Sequence, residues 1–252
     1  MTGRYAGRSS GKRCFGNDIE IHHGGTDMEI KRLTLFAGHY GSGKTNIALN
    51  YALYLRKQGY PVTMADLDIV NPYFRMKDSE KLLLEAGIEF ISSPYANSNL
   101  DAPAMPKEAY ALVSGRKRFG VLDIGGDDRG ALALGRYVPE IKQEADYEML
   151  FVANRARPLT RNAKDAFGVL REIEEACGLT FTAIVNNTNY GPETTKDDIL
   201  ESMAFAHELS GMSGLPVKMT CVKKELLSDL EGKIADIFPL DLQKLYYMLE
   251  TS

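Results

Sequence analysis

Residues 33–59, LTLFAGHYGSGKTNIALNYALYLRKQG, constrain the fold of this chain more than any other stretch. LTLFAG (33–38) is short and apolar, as a strand buried on both faces of a sheet must be. KTNIALNYALYLRKQG (44–59) places Ile47, Leu49, Ala52, Leu53 and Leu55 on one broad apolar face, and Gly59 stops the helix. Between them GHYGSGKT (38–45) fits G-x-x-x-x-G-K-[ST]. A parallel sheet takes its ligands at the carboxyl ends of its strands, which is where this loop falls. Gly38, Gly41 and Gly43, with Ser42 between the last two, let the backbone curl so that its N–H groups point inward at phosphate oxygens. The helix N-terminus adds a potential that favours an anion. Lys44 then reaches the outer phosphates of a nucleotide, and the Thr45 hydroxyl reaches Mg²⁺. The octapeptide alone also matches glycine-rich turns; the strand–loop–helix context argues against that alternative.

The rest of the chain continues the alternation. PVTMADLD (61–68), GIEFISS (87–93), FGVLDIGG (119–126), YEMLFVAN (147–154), FTAIVNN (181–187) and LPVKMTC (215–221) read as strands, about seven in all with the first. Helices are expected near 160–177, 195–213 and 240–250, with helical segments between the earlier strands. Such alternation implies right-handed βαβ crossovers: an α/β fold of three layers, its mostly parallel sheet covered by helices on both faces. At 252 residues, 44% hydrophobic and 25% charged, one large domain is expected. Residues 1–27 break the pattern. They are rich in Gly, Ser and Arg and lack periodicity, so they are expected to be a disordered extension, or sequence upstream of a start at Met28. Residues 28–252 then form a single nucleotide-binding domain. His22 and His23 lie in this tail without the further ligands a metal would need.

Composition narrows the setting. A formal charge of -4 gives no general attraction to nucleic acid or to anionic membrane, and no dedicated nucleic-acid-binding domain is visible. Cys14, Cys177 and Cys221 are odd in number and widely spaced, which suits a reducing cytoplasm better than a disulfide framework. No apolar run is long enough to span a bilayer, and the last segment, PLDLQKLYYMLETS (239–252), is too short and too weakly basic for a membrane-docking helix.

Two carboxylate positions add specificity. Asp123 ends the strand FGVLD, where a carboxylate can hold the water shell of Mg²⁺, and Gly125 and Gly126 follow it. Asp66 and Asp68 end the second strand; either could contact metal-bound water, and Asp68 could position an attacking water. Solvated strand ends or helix caps are the alternative for all three, and the better reading for Asp127 and Asp128.

FAGHYGSGKTNIALNYALYL, VTMADLDIVNPYF, FGVLDIGG and FTAIVNN together resemble the successive nucleotide-binding motifs of the ParA/MinD group of P-loop ATPases, over about residues 30–221. The broad class also holds cobyrinate amidases, dethiobiotin synthetase, the nitrogenase iron protein and nickel-insertion chaperones. The resemblance implies ATP and Mg²⁺ as cofactors. It makes Lys44 and Asp68 the catalytic pair, with Thr45, Asp66 and Asp123 at the metal. Asn46 is placed near the α-phosphate, and Asn186 or Asn187 at the adenine edge.

His39 departs from the pattern, because relatives carry there a second lysine that crosses a dimer interface to the partner's phosphates. A neutral imidazole brings less charge and a shorter reach. A nucleotide-dependent homodimer is therefore an open expectation, with Arg75 and Arg129 as other charge suppliers. NNTN (186–189) lacks the lysine and aspartate of the guanine-reading N-K-x-D, which favours ATP over GTP. Asn154, Arg155, Arg157 and Arg161, after the fifth strand, face either a partner or the nucleotide, or simply open a basic helix start. The function expected is a slow ATPase whose nucleotide state switches binding to an unidentified protein partner. The alternatives are a synthetase or amidotransferase acting on a small substrate, a GTPase-type metallocentre-assembly chaperone, and a module that binds nucleotide without hydrolysing it.

Overall fold

A computed structural model describes residues 28–67, 76–92, 107–126 and 128–242. The expectations for the 1–27 tail, for Asp68, Arg75 and Asp127, for the side chains of Asp128 and Arg129, and for a helix beyond 242 lie outside the described residues.

The glycine loop joins β1 (Leu33–Ala37) to α1 (Lys44–Lys57). Next come β2 (Val62–Leu67), α2 (Met76–Glu85), β3 (Glu89–Ser92), α3 (Lys107–Ser114) and β4 (Phe119–Ile124). Two short helices, α4 (Asp128–Gly135) and α5 (Val138–Glu144), lead to β5 (Tyr147–Ala153). The chain continues through α6 (Ala163–Cys177), β6 (Ala183–Asn186), α7 (Lys196–Ser213), β7 (Val217–Lys223), α8 (Leu227–Leu230) and β8 (Ile237–Leu240). The eight strands form one sheet in the order β3-β2-β4-β1-β5-β6-β7-β8, and every pairing is parallel.

Alternate residues of β1 feed opposite layers. Leu33, Leu35 and Ala37 join a core with α3 to α7, whereas Phe36 packs with α1 and α2 on the other face. Both faces are covered, so the strand is buried end to end and reads as a continuous apolar run. α1 buries Ile47, Leu49, Ala52 and Leu55 as its pattern requires, and Tyr51 meets Phe36 edge to face at 5.5 Å. Beneath the sheet's α1 face, Glu148 accepts from Thr34 at 3.0 Å and pairs with Lys218. That neutralises the buried Glu148 carboxylate near the start of β5.

The sequence pattern misses β8. IFPL is only four residues long and holds Pro239, which cannot donate to a ladder and is tolerated at a sheet edge, where β8 lies. Leu240 ends this strand and does not open a helix, which corrects the boundary expected at 240. β1 stands at the centre of the order. The chain leaves it for β2 on one side and later builds β5 to β8 on the other, so a crevice opens at its carboxyl end.

Candidate nucleotide site

The carboxyl end of β1 runs into the glycine loop, and three buried side chains meet there. The Thr45 hydroxyl, in the first turn of α1, donates to Asp123 Oδ2 at 2.5 Å. Asp66 is aligned with Asp123 across the β2–β4 ladder, and both side chains are buried. Lys44 is buried too, with Nζ donating to the His39 carbonyl at 3.5 Å across the loop. Two carboxylates and a hydroxyl form an all-oxygen donor set, which suits a hard cation such as Mg²⁺. Among the described residues no group of three or more His, Cys, Asp or Glu side chains is gathered to hold a metal. The set therefore fits an ion that takes one or two protein carboxylates and completes its shell from phosphates and water, the usual habit of Mg²⁺.

Two segments from the other half of the sheet tie down the loop. Asn187, just past β6, donates from Nδ2 to the Ser42 carbonyl at 2.7 Å. Arg157, past β5, donates from Nε to the Gly41 carbonyl at 2.8 Å. Occupying these carbonyls fixes the orientation of their peptide groups, and Ser42 N closes the loop by donating to the His39 carbonyl at 3.1 Å. Gly43 is the N-cap of α1 at φ 94°, and a Cβ there would stand 2.3 Å from Asn187 Nδ2. Gly126, just past β4, approaches the loop so closely that a Cβ would lie 2.2 Å from the Gly38 carbonyl oxygen. Both positions need glycine because another backbone or a buried amide occupies the space a side chain would take.

The structure thus brings together Gly38, Gly41, Ser42, Gly43, Lys44, Thr45, Asp66 and Asp123. Asn46 follows in α1, its Oδ1 buried and without a hydrogen-bond partner among the described residues. His39 is half-buried, with Nδ1 at 2.9 Å from the Tyr40 carbonyl, and Tyr40 itself is exposed at the loop's rim.

The amides at the end of β6 are engaged with protein. Asn186 donates to Ser202 Oγ at 2.8 Å, and its Oδ1 accepts from the Thr188 hydroxyl at 3.0 Å. Asn187 is committed to Ser42. Adenine contact by either amide is thus not what these bonds display; they lock the loop after β6 to α7 and to the glycine loop.

Asn154, fully buried at the end of β5, organises the neighbouring turn. Its Oδ1 accepts from Ala156 N at 3.0 Å, and its carbonyl accepts from the Thr160 hydroxyl at 2.7 Å. Arg155 lies 3.8 Å from Glu201, and Arg161 is exposed, so of the three arginines in this loop only Arg157 turns toward the glycine loop. Sequence position marked Asn154 only as a residue past a strand's carboxyl end; its bonds came with the fold.

No protein-family model matches the chain, and no curated protein matches it. Solved structures do. Chloroplast FtsY from Physcomitrella patens superposes with a TM-score of 0.54 at 19% identity, covering 80% of this chain and 60% of that one. The signal recognition particle receptor FtsY from Elizabethkingia anophelis gives 0.49 at 18% identity, covering 80% and 61%. Signal recognition particle 54 kDa protein from Aeropyrum pernix K1, in complex with GDP, gives 0.48 at 20% identity, covering 75% and 40%. The chain spans about three fifths of the FtsY chains. Likeness at this identity establishes the fold: the α/β fold of P-loop NTPases, with its parallel sheet flanked by helices.

Proposed function

We propose that the chain binds a nucleoside triphosphate with Mg²⁺, ATP in preference to GTP, hydrolyses it slowly, and uses the bound state to switch a surface for a protein partner, as a ParA/MinD-like protein of the cytoplasm. The observation that carries this is the Thr45–Asp123 contact beneath a glycine loop whose carbonyls are tied back. A hydroxyl and a carboxylate in hydrogen-bond contact at the end of the glycine loop support a metal site there. Bound Mg²⁺ would supply charge neutralisation along the phosphates. The chain's own groups do the rest. Lys44 exchanges the His39 carbonyl for a phosphate oxygen, a stronger acceptor for an ammonium. The loop amides and the N-terminus of α1 hold the phosphate chain in one orientation. Asp68, one residue beyond β2, is the group assigned to orient the attacking water. The preference for ATP rests on Asn189, which stands where a guanine reader carries aspartate. Residues 28–252 are the unit proposed to carry this function, with 1–27 dispensable for it. The rival functions are a small-substrate synthetase, a guanine-nucleotide chaperone and a non-hydrolysing module, and one assay separates the last two.

That assay is thermal unfolding with and without nucleotide, paired with a phosphate-release measurement. MgATP at about 100 times its dissociation constant should stabilise the fold by about 2.7 kcal/mol, or roughly 5–10 °C. GTP should do less at equal concentration, and a chain beginning at Met28 should show the same shift. Lys44→Ala should remove most of it. Asp68→Ala should keep the shift and lose turnover. A larger shift with GTP would overturn the base preference, and no shift with either nucleotide would overturn the function.

A further inference from the structure

The glycine loop contains one lysine, Lys44, and a histidine at the position that brings the second cation in the proteins it resembles. The backing of the loop shows where another fixed charge lies. Asn187 and Arg157 perform the same local task on adjacent carbonyls, Ser42 and Gly41. A neutral amide suffices for the first. The second is held by a guanidinium, which is half-buried and, among the described residues, has no carboxylate within ion-pair distance and no partner for Nη1 or Nη2. A partly desolvated charge without a counter-ion is costly to keep unless an anion visits it.

Its placement is firm. Arg157 N donates to the Asn154 carbonyl at 3.1 Å, the Thr160 hydroxyl donates to the same carbonyl, and Thr160 is fully buried. The short turn from Asn154 to Thr160 is thus locked at both ends, and the arginine projects from it onto the glycine loop. Gly41 leaves room for this approach: a Cβ there would lie 3.3 Å from Nε and 3.6 Å from Cδ. A guanidinium is a planar fork, so Nε can hold the carbonyl while the two Nη atoms serve an oxygen beyond it.

We infer that Arg157 is the second cation of the phosphate site, contributed by the same chain, with Nε fixed on Gly41 and its Nη groups directed to the terminal phosphate of a bound nucleoside triphosphate. This rests on the nucleotide function proposed above. It follows that triphosphate recognition does not require charge at position 39 or from a second copy of the chain. A triphosphate carries more charge than a diphosphate at the outer end of the site, beside the rim formed by Gly41 and the exposed Tyr40. Arg157 should therefore favour the triphosphate selectively, whereas a mere strut for the Gly41 carbonyl would serve both ligands alike.

The test measures dissociation constants of MgATP and MgADP for the full chain and for Arg157→Gln, Arg157→Lys and His39→Ala, with unliganded melting recorded for each. Arg157→Gln should weaken MgATP about tenfold or more, the size of one lost charge-assisted hydrogen bond, and leave MgADP within about threefold. Arg157→Lys keeps a charge and should recover part of the discrimination. His39→Ala should leave the ATP-to-ADP ratio unchanged. Equal weakening of both ligands by Arg157→Gln, or no weakening of either, would reduce Arg157 to a strut and overturn the inference while leaving the nucleotide function intact. If the unmodified chain binds neither ligand, both fall together.

Discussion

The two halves of the sheet finish differently at their carboxyl edge. On the side of β2, β4 and β1 the strands run into charge: Asp66 and Asp123 side by side, with Lys44 and the Thr45 hydroxyl over them. On the side of β5 and β6 the strands end in neutral buried groups, with the Arg157 cation on the turn beyond β5. Asn154, Asn186, Asn187 and Thr188 are as buried as the acids and bond to one another and to nearby backbone, although Asn154 Nδ2 is buried without a hydrogen-bond partner among the described residues. The oxygens of the first half suit a hard cation and its phosphates, the ligand proposed for it. Most of the neutral groups tie one segment of the protein to another, so the second half acts as a frame. The frame still reaches across the boundary at two places, Asn187 to Ser42 and Arg157 to Gly41. Under the proposed function, one half supplies the chemistry and the other sets the shape of the loop between them.

Substitutions should separate the halves. The largest difference is expected between Asp123→Ala and Asn186→Ala. Asp123→Ala should erase most of the roughly 2.7 kcal/mol that saturating MgATP adds. Asn186→Ala should leave that increment alone and lower unliganded stability by about 1–3 kcal/mol, because Ser202 and Thr188 lose buried partners. Paired melts with and without nucleotide read both quantities. The division into chemistry and frame fails if the two variants behave alike.

Gly43→Ala tests the seam. Left-handed backbone costs a residue with a Cβ about 1–2 kcal/mol, and the methyl would also displace the Asn187 amide that stands 2.3 Å away. Both unliganded stability and nucleotide affinity should drop. Adding Asn187→Gly should relieve the contact and recover part of the loss; no recovery in calorimetry or melting would show that the conformational strain alone matters.

The smallest effect lies in the frame's periphery. Thr195 and Asp198 cap α7 reciprocally, and the hydroxyl and N–H of Thr195 hold the Asp198 carboxyl below its ordinary value of 3.8. A carboxyl lowered in the folded state stabilises fully above that ordinary value. Its contribution drains away as pH falls from there toward the lower folded value. Thr195→Ala should cost about 1 kcal/mol near neutral pH. Its deficit against the unmodified chain should narrow as melts are taken down to about pH 3. A deficit independent of pH would mean that the pairing with Asp198 contributes nothing.

Much of this was legible in the order of the residues. Strand, glycine loop and helix at 33–57 are local in sequence, and their periodicities announce them, as does the parallel alternation that follows. The sequence marked Asp123 as an acid at the end of an apolar run but left open whether it is solvated; the structure buries it, one residue before the end of β4. The sequence by itself therefore determined the three-layer fold and the strand–loop–helix at its centre. The tertiary structure alone decided what supports them. Asn187 and Ser42 are 145 residues apart, and Arg157 and Gly41 are 116 apart; no local period links such pairs. Asn186 and Asn187 are adjacent and identical in type, yet one binds α7 and the other the glycine loop, because successive residues leaving a strand face different neighbours. β8 escaped for a related reason: four residues with a proline carry too little pattern of their own and become a strand only because β7 offers them an edge.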